Sequence, residues 1–244
     1  YVSLPADALQ ILVVDTRVAL AETSANFYNH PEKGMRIIGI TGTKGKTTTC
    51  YMIAHVLNSQ GIPCGTIGTC GVTYLNHFEE TVNSTPESHE LFRLFADMKK
   101  AGVKTVAMEV SSQAIAMKRI HGIPFYACVF TNLGHDHIGP TEHETFEEYK
   151  SCKQSLFSLT KHAILNKDDT HFKSFVEKCH GSIWTYGQDT SNSAYASQIV
   201  PDSTSTRFGT LFTINEQKRA RDAILPFPGN YNVSNALAAF GIVK

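Results

Sequence analysis

Apolar residues along this chain fall into short runs separated by stretches with helical spacing. Ile37-Ile38-Gly39-Ile40, Pro63 to Ile67, Thr105 to Val110, Tyr126 to Phe130, His162 to Leu165 and Ser182 to Tyr186 are brief runs bounded by turn or polar residues, several of them β-branched or aromatic, and read as strands. Between them, Thr47 to Gln60, Thr85 to Gly102, Thr145 to Leu159 and His171 to Cys179 read as helices. Gly61 closes the first helix. Thr85-Pro86 offers the second a hydroxyl cap and a proline at the first helical position, and Lys99-Lys100-Ala101-Gly102 stops it with basic residues and a glycine. Strands alternating with helices predict an α/β fold, a mostly parallel sheet joined by crossover helices. From Ala194 to Ile224 helical spacing gives way to short alternating runs such as Phe208 to Ile214, which predicts a small antiparallel extension; Tyr231 to Val243 is a closing helix. Ahead of all these, Ile11 to Val14 reads as a further short strand and Thr16 to Tyr28 as a helix closed by Pro31 and Gly34.

The strand at Ile37 carries a site as well as a fold. It runs into Thr41-Gly42-Thr43-Lys44-Gly45-Lys46-Thr47-Thr48, a glycine-bracketed turn that opens a helix. Glycines let backbone N–H groups converge on an anion, and the new helix points its positive end at the same place. Lys46 can reach terminal phosphates, and the Thr47 hydroxyl suits Mg²⁺. A nucleoside triphosphate is the expected ligand. Ile40 stands where the strict G-x-x-x-x-G-K-T pattern has its leading glycine, so the signature is the shorter Gly42-x-x-Gly45-Lys46-Thr47-Thr48.

Ligands of open α/β sheets gather beyond the carboxyl ends of the strands, so the polar residues that follow each apolar run carry weight. Glu109, followed by Val110-Ser111-Ser112, is placed to share a Mg²⁺ with a triphosphate, or to cap the next helix. His135-Asp136-His137 has metal-ligand residue types and also suits a solvated loop. Lys153 lies in a helix, where a lysine is ordinarily a solvated charge.

With 22 basic and 22 acidic residues the formal net charge is zero. Bulk electrostatics therefore draws the chain to neither nucleic acid nor a membrane surface, and small molecules at a local site are the expected partners. The 244 residues suffice for one sizeable core. Six cysteines without a C-x-x-C pair read as reduced thiols in the cytoplasm, not a disulfide frame or a zinc site. There is no signal peptide and no membrane-length apolar run. A start at Tyr1 and a stop at Lys244 inside a helical pattern read as a piece of a longer protein.

Four stretches, in order along nearly the whole chain, resemble the Mur ligase family. They are Thr41 to Thr48, Met108-Glu109-Val110-Ser111-Ser112, Thr131-Asn132-Leu133 with Asp136-His137, and Gly229-Asn230-Tyr231-Asn232-Val233-Ser234-Asn235-Ala236-Leu237-Ala238-Ala239. The resemblance is strongest to the branch that adds the third amino acid to the peptidoglycan precursor. It implies that residues 31–244 are a central ATP-binding domain, that residues 1–30 end an N-terminal UDP-binding domain, and that a C-terminal domain is absent. It implies an ATP-dependent amide ligase using two Mg²⁺ ions, with UDP-muramoyl dipeptide and an amino acid as substrates and an expected monomer. Gly42, Thr43, Lys44, Gly45, Lys46, Thr47 and Thr48 would hold the triphosphate, and Asn232 and Asn235 the base or ribose. Thr47 and Glu109 would share one Mg²⁺, His137 would help hold the second, and Lys153 would act as a carbamate. That last role suits a lysine whose burial keeps it neutral enough to capture CO₂. Ser84, Thr85, Ser111 and Arg119 would contact the muramoyl dipeptide. The chain departs from the family at Lys44, where Asn is usual, at Gln113, where His is frequent, at Gly134-His135, and from Ile138 to His143. A ligase like folylpolyglutamate synthase and a non-catalytic nucleotide-binding module are the alternative readings.

Overall fold

The computed structural model describes residues 9–136, 138–139, 143–202 and 208–244. α1 (Thr16–Phe27) is capped by Asp15, whose carboxylate accepts from the N–H groups of Arg17 and Val18 at 2.9 and 3.1 Å. β1 (Arg36–Thr41) then leads through the glycine-rich turn into α2 (Lys46–Ser59). β2 (Cys64–Gly68), β3 (Gly71–Tyr74) and β4 (His77–Glu79) form an antiparallel meander, followed by α3 (Ser88–Lys100), β5 (Thr105–Glu109), α4 (Ser112–Ala116) and β6 (Phe125–Phe130). α5 (Phe146–Ser155) tightens into a 3₁₀ turn at Leu156–Leu159 before β7 (Thr160–Asn166), α6 (Phe172–Val176) and β8 (Ser182–Gly187). β9 (Ala194–Asp202), β10 (Gly209–Glu216), β11 (Arg219–Leu225) and α7 (Asn230–Val243) complete the chain.

The described strands join in one sheet, ordered β11-β10-β9-β8-β7-β6-β1-β5-β2-β3-β4. The seven strands from β9 to β2 pair in parallel, and antiparallel strands extend both edges. Both faces of the parallel part are covered, which explains its unbroken apolar runs. In β1, Ile37 joins Phe92, Phe95, Met108, Phe125 and Tyr149 on one face, while Ile38 and Ile40 join Ile53, Leu57, Val129 and Leu237 on the other. α1 belongs to the first of these layers through Ala21 and Ala25. Among the described residues no helix is long and apolar enough to cross a membrane.

The expected mostly parallel sheet is present, with four departures from the sequence reading. Ile11 to Val14 is not a strand: Leu12 and Val14 are almost fully exposed, and among the described residues the run pairs with no strand. β3 and β4 were unforeseen, because strands of only four and three residues carry little periodicity. The helix from His171 shrinks to Phe172–Val176, with Phe175 as its one buried anchor. α3 begins at Ser88, not after Thr85, since the Thr85 hydroxyl is occupied elsewhere. It donates to the Glu109 carbonyl at 3.0 Å and accepts from the Ser111 N–H at 3.1 Å, fastening the segment before α3 to the end of β5. Thr85→Val leaves that carbonyl and that N–H unpaired in a buried place and is expected to cost about 1–3 kcal/mol. A lowered urea midpoint at unchanged slope is the readout; an unchanged midpoint contradicts the bracing role.

Candidate active site

Register brings three loops to one edge of the sheet. Ile40 pairs with Glu109 and Thr41 with Phe130, so β1, β5 and β6 end level. The N–H of Val110 then donates to the Ile40 carbonyl at 2.8 Å, and that of Thr131 to the Thr41 carbonyl at 3.0 Å. β1 lies between β5 and β6, so its loop opens where the strand order reverses, the usual ligand crevice of such sheets.

The glycine-rich turn is shaped by two positions that exclude a side chain. Gly45 caps α2 at φ 85°, and a Cβ there would meet Asn235 Oδ1 at 2.5 Å. Gly42 lies against the Thr131 hydroxyl, in space a Cβ would need. The end of β6 grips this turn from the side. The Thr43 N–H donates to the Asn132 carbonyl, and the Asn132 side chain both accepts from the Lys44 N–H and donates to the Lys44 carbonyl, all at 2.9 Å. Thr131 Oγ1 adds a 2.7 Å bond to the same carbonyl, and Asn166 in turn holds the Thr131 carbonyl at 2.7 Å. Asn132→Ala removes two of the bonds that set the turn, so affinity for the expected nucleoside triphosphate should fall about tenfold, the equivalent of ~1.4 kcal/mol. Calorimetric titration checks this, and wild-type affinity would show that the turn holds its shape unaided.

Two lysines meet over one backbone oxygen. Lys46 Nζ donates to the carbonyls of Gly42 at 2.9 Å and Thr43 at 3.0 Å, and Lys153 Nζ reaches the same Gly42 carbonyl at 3.1 Å. Lys153 is 1% exposed, with its amine 4.6 Å from the centre of the Tyr149 ring. Burial, reinforced by the charge of Lys46, brings its pKa down from 10.5 to about 7. This is no solvated helix lysine. Burial lowers Lys46 as well, against the opposing pull of Glu109 and Asp136.

On the other side of the turn, the Thr47 hydroxyl donates to Glu109 Oε1 at 2.9 Å. Glu109 is 1% exposed and also accepts from the Thr69 N–H at 2.8 Å. A hydroxyl and a buried carboxylate beside a phosphate cradle suit Mg²⁺, which keeps waters and phosphate oxygens in its shell and asks little of the protein. Among the described residues no group of three or more His, Cys, Asp or Glu could cage a metal. His137 lies outside the described residues.

Beyond the two lysines the edge continues as a cleft of about 130 Å³ lined in part by Lys46, Ser84, Ser111, Arg119, His143 and Lys153. Arg119 is buried, held by Glu87 Oε1 at 2.9 Å and donating to the Thr85 carbonyl at 3.2 Å, so it is a placed cation. Ser111 caps α4 through the Ala114 N–H at 3.1 Å. Thr85 is buried behind the wall, in its bracing role. On α7, Asn235 faces Gly45, whereas Asn232 has its amide on the Pro228 carbonyl at 2.7 Å. Lys44 is exposed, and Thr48 borders an apolar groove of about 640 Å³ between α2, α7 and β10–β11. The sequence reading gave no role to Asn132, Thr131 or His143. For the first two a signal existed, a Thr-Asn pair directly after an apolar strand.

Residues 40–243 match the Mur ligase middle domain. The chain belongs to the Mur ligase family. A UDP-N-acetylmuramoyl-L-alanyl-D-glutamate--2,6-diaminopimelate ligase of Clostridium botulinum is 37% identical to this Mur ligase domain over 235 residues, 96% of this chain and 47% of that protein. A solved structure of a ligase with the same name superposes with a TM-score of 0.81 at 26% identity, covering 92% of this chain and 47% of the other. Folylpolyglutamate synthetase from Lactobacillus casei, at 14% identity and a TM-score of 0.67 over 95% of this chain and 62% of its own, shares the fold. The chain spans about half the length of the curated relatives it matches.

Proposed function

We propose that this domain is the nucleotide-binding part of an ATP-dependent, ADP-forming ligase of peptidoglycan synthesis that works in the cytoplasm. It adds L-lysine or meso-diaminopimelate to UDP-N-acetylmuramoyl-L-Ala-D-Glu. The observation that carries the reading is that Lys46 and Lys153 stand between the glycine-rich turn and the cleft of Ser84, Ser111 and Arg119. A triphosphate in the turn and a carboxylate in the cleft would meet across those two lysines.

In this reading, residues 42–48 hold ATP while Arg119, Ser84, Ser111 and the backbone fixed by Thr85 orient the muramoyl dipeptide. An oxygen of the D-Glu side chain attacks the γ-phosphorus, the bond to ADP breaks, and an acyl phosphate forms. The incoming amine then attacks the acyl carbon and phosphate leaves. The obstacle is an anion approaching an anion. Lys46 lies where that repulsion is greatest, and a charge fixed in a partly dry site stabilises the transition state without reorganising. When bound, Mg²⁺ neutralises phosphate oxygens; Thr47 and Glu109 would hold one ion, and His137 with a carbamylated Lys153 a second. Asn232 and Asn235 would meet the base or ribose.

We take residues 1–30 as the end of a UDP-binding domain, and a further domain as the lid that keeps water from the acyl phosphate. The 244-residue chain alone, a monomer, should bind ATP weakly and make no tripeptide. The test is ADP release by the full-length protein given UDP-muramoyl dipeptide with L-lysine, meso-diaminopimelate and other amino acids, against folate with glutamate. Release that requires the dipeptide and one diamino acid supports the reading. Release with folate moves the enzyme to the folylpolyglutamate synthase class, and none with any pair leaves a binding module.

A further inference from the structure

Amide formation needs something the cations of this cleft do not offer. An amino acid arrives as an ammonium ion, and must lose a proton before its nitrogen can attack an acyl carbon. Lys46 gives its protons to the carbonyls of Gly42 and Thr43, Arg119 is held by Glu87 and the Thr85 carbonyl, and the Lys153 amine, on the Gly42 carbonyl, is taken up in the ligase reading as a carbamate, whose nitrogen has no basic lone pair. The other lining side chains apart from His143 are serines and amides, which have no basic lone pair at neutral pH.

His143 differs. It lines the cleft and is 3% exposed, and its Nδ1 finds no hydrogen-bond partner among the described residues. That nitrogen faces Glu148 Oε1 across 3.5 Å, and the imidazole ring centre lies 5.4 Å from that of Tyr149. The Glu144 N–H, donating to Glu148 Oε2 at 2.9 Å, keeps this carboxylate below its usual pKa and therefore ionised, with His143 contributing. A carboxylate on the Nδ1 side favours the tautomer with its hydrogen on Nδ1, which leaves the lone pair on Nε2. The backbone of the imidazole is fixed too, by the Gly139 N–H on the His143 carbonyl at 3.1 Å.

We propose that His143, oriented by Glu148, is the general base that takes the proton from the incoming amino group. The proposal rests on the ligase reading above. The ammonium gives one proton to Nε2, its nitrogen bonds to the acyl carbon, and the carbon–oxygen bond to phosphate breaks. The second ammonium proton leaves with the phosphate, and the imidazolium returns its own proton to solvent.

The test separates the two half-reactions in the full-length enzyme. His143→Gln should slow amide synthesis about 10²-fold or more. Exchange of oxygen isotope within ATP, measured with the dipeptide and no amino acid, should stay within about twofold of wild type, as should hydroxamate formation with hydroxylamine, a nucleophile already unprotonated at neutral pH. Glu148→Gln, at an exposed position, should show the same split more weakly. Isotope exchange falling in step with amide synthesis would make His143 a structural or dipeptide-binding residue and overturn the proposal, as would amide synthesis at the wild-type rate. A wild-type enzyme that exchanges no isotope with the dipeptide would instead overturn the ligase reading itself.

Discussion

In the full-length protein, on the ligase activity proposed above, Lys153→Ala is expected to lower turnover by about 10³-fold, with partial recovery in short carboxylates such as formate or acetate. The expectation follows from where the side chain sits. An amine buried beside Tyr149 and next to Lys46, with its pKa near 7, spends much of its time neutral at physiological pH, the form that captures CO₂. A small carboxylate fits the space left by alanine and replaces the lost anion. ADP release with and without added carboxylate is the measurement, and unchanged turnover would remove Lys153 from the chemistry. The same burial leaves a mark on stability. Between about 7 and 10.5 the unfolded chain holds a proton on Lys153 that the folded chain does not, so the folded state gains stability as pH rises through that window. Below it the cost of burying the amine is fully present. Lys153→Met should therefore be more stable than wild type near neutral pH, the gap closing as pH approaches 10.5, when urea midpoints are compared.

Lys46→Met should be as severe by a different route. Its ammonium is the half-buried cation within reach of both the turn and the cleft, and it is already held there by the Gly42 and Thr43 carbonyls, so little reorganisation is needed when phosphate arrives. Removing a preorganised charge from such a site costs on the order of 10³-fold in turnover. Methionine keeps the aliphatic stem, so the fold should be retained and the loss confined to ATP affinity and kcat. A variant with wild-type kcat and only a raised KM would make the contribution of Lys46 uniform binding, equal in the ground and transition states, and not catalysis.

The glycine-rich turn was legible in the sequence because its chemistry is contiguous: strand, glycines, lysine and hydroxyl occupy neighbouring positions. Glu109 was legible because it ends an apolar run, and its approach to Thr47 follows from strand register. Lys153 was not legible from composition, since nothing local distinguishes a buried helix lysine from a solvated one; only the family resemblance singled it out. Thr85 had the signature of a helix cap, and a tertiary contact with Glu109 and Ser111 overrode it. Asn132 stands directly after an apolar strand, but its hold on Lys44, like the place of His143 in a cleft built from several loops, spans a sequence separation that no spacing rule reaches. The β3–β4 ribbon escaped because strands of three or four residues owe their existence to the neighbouring edge of β2.

The proposition that an acid is activated at this edge by a nucleotide faces its most direct test in a crystal of the protein grown with Mg²⁺ and a non-hydrolysable ATP analogue. The triphosphate should lie within residues 42–48, its terminal phosphate facing Lys46 and Lys153, with a cation between it, the Thr47 hydroxyl and the Glu109 carboxylate. A nucleotide bound elsewhere, or one bound here while Glu109 still holds only Thr47 and Thr69, would contradict the account.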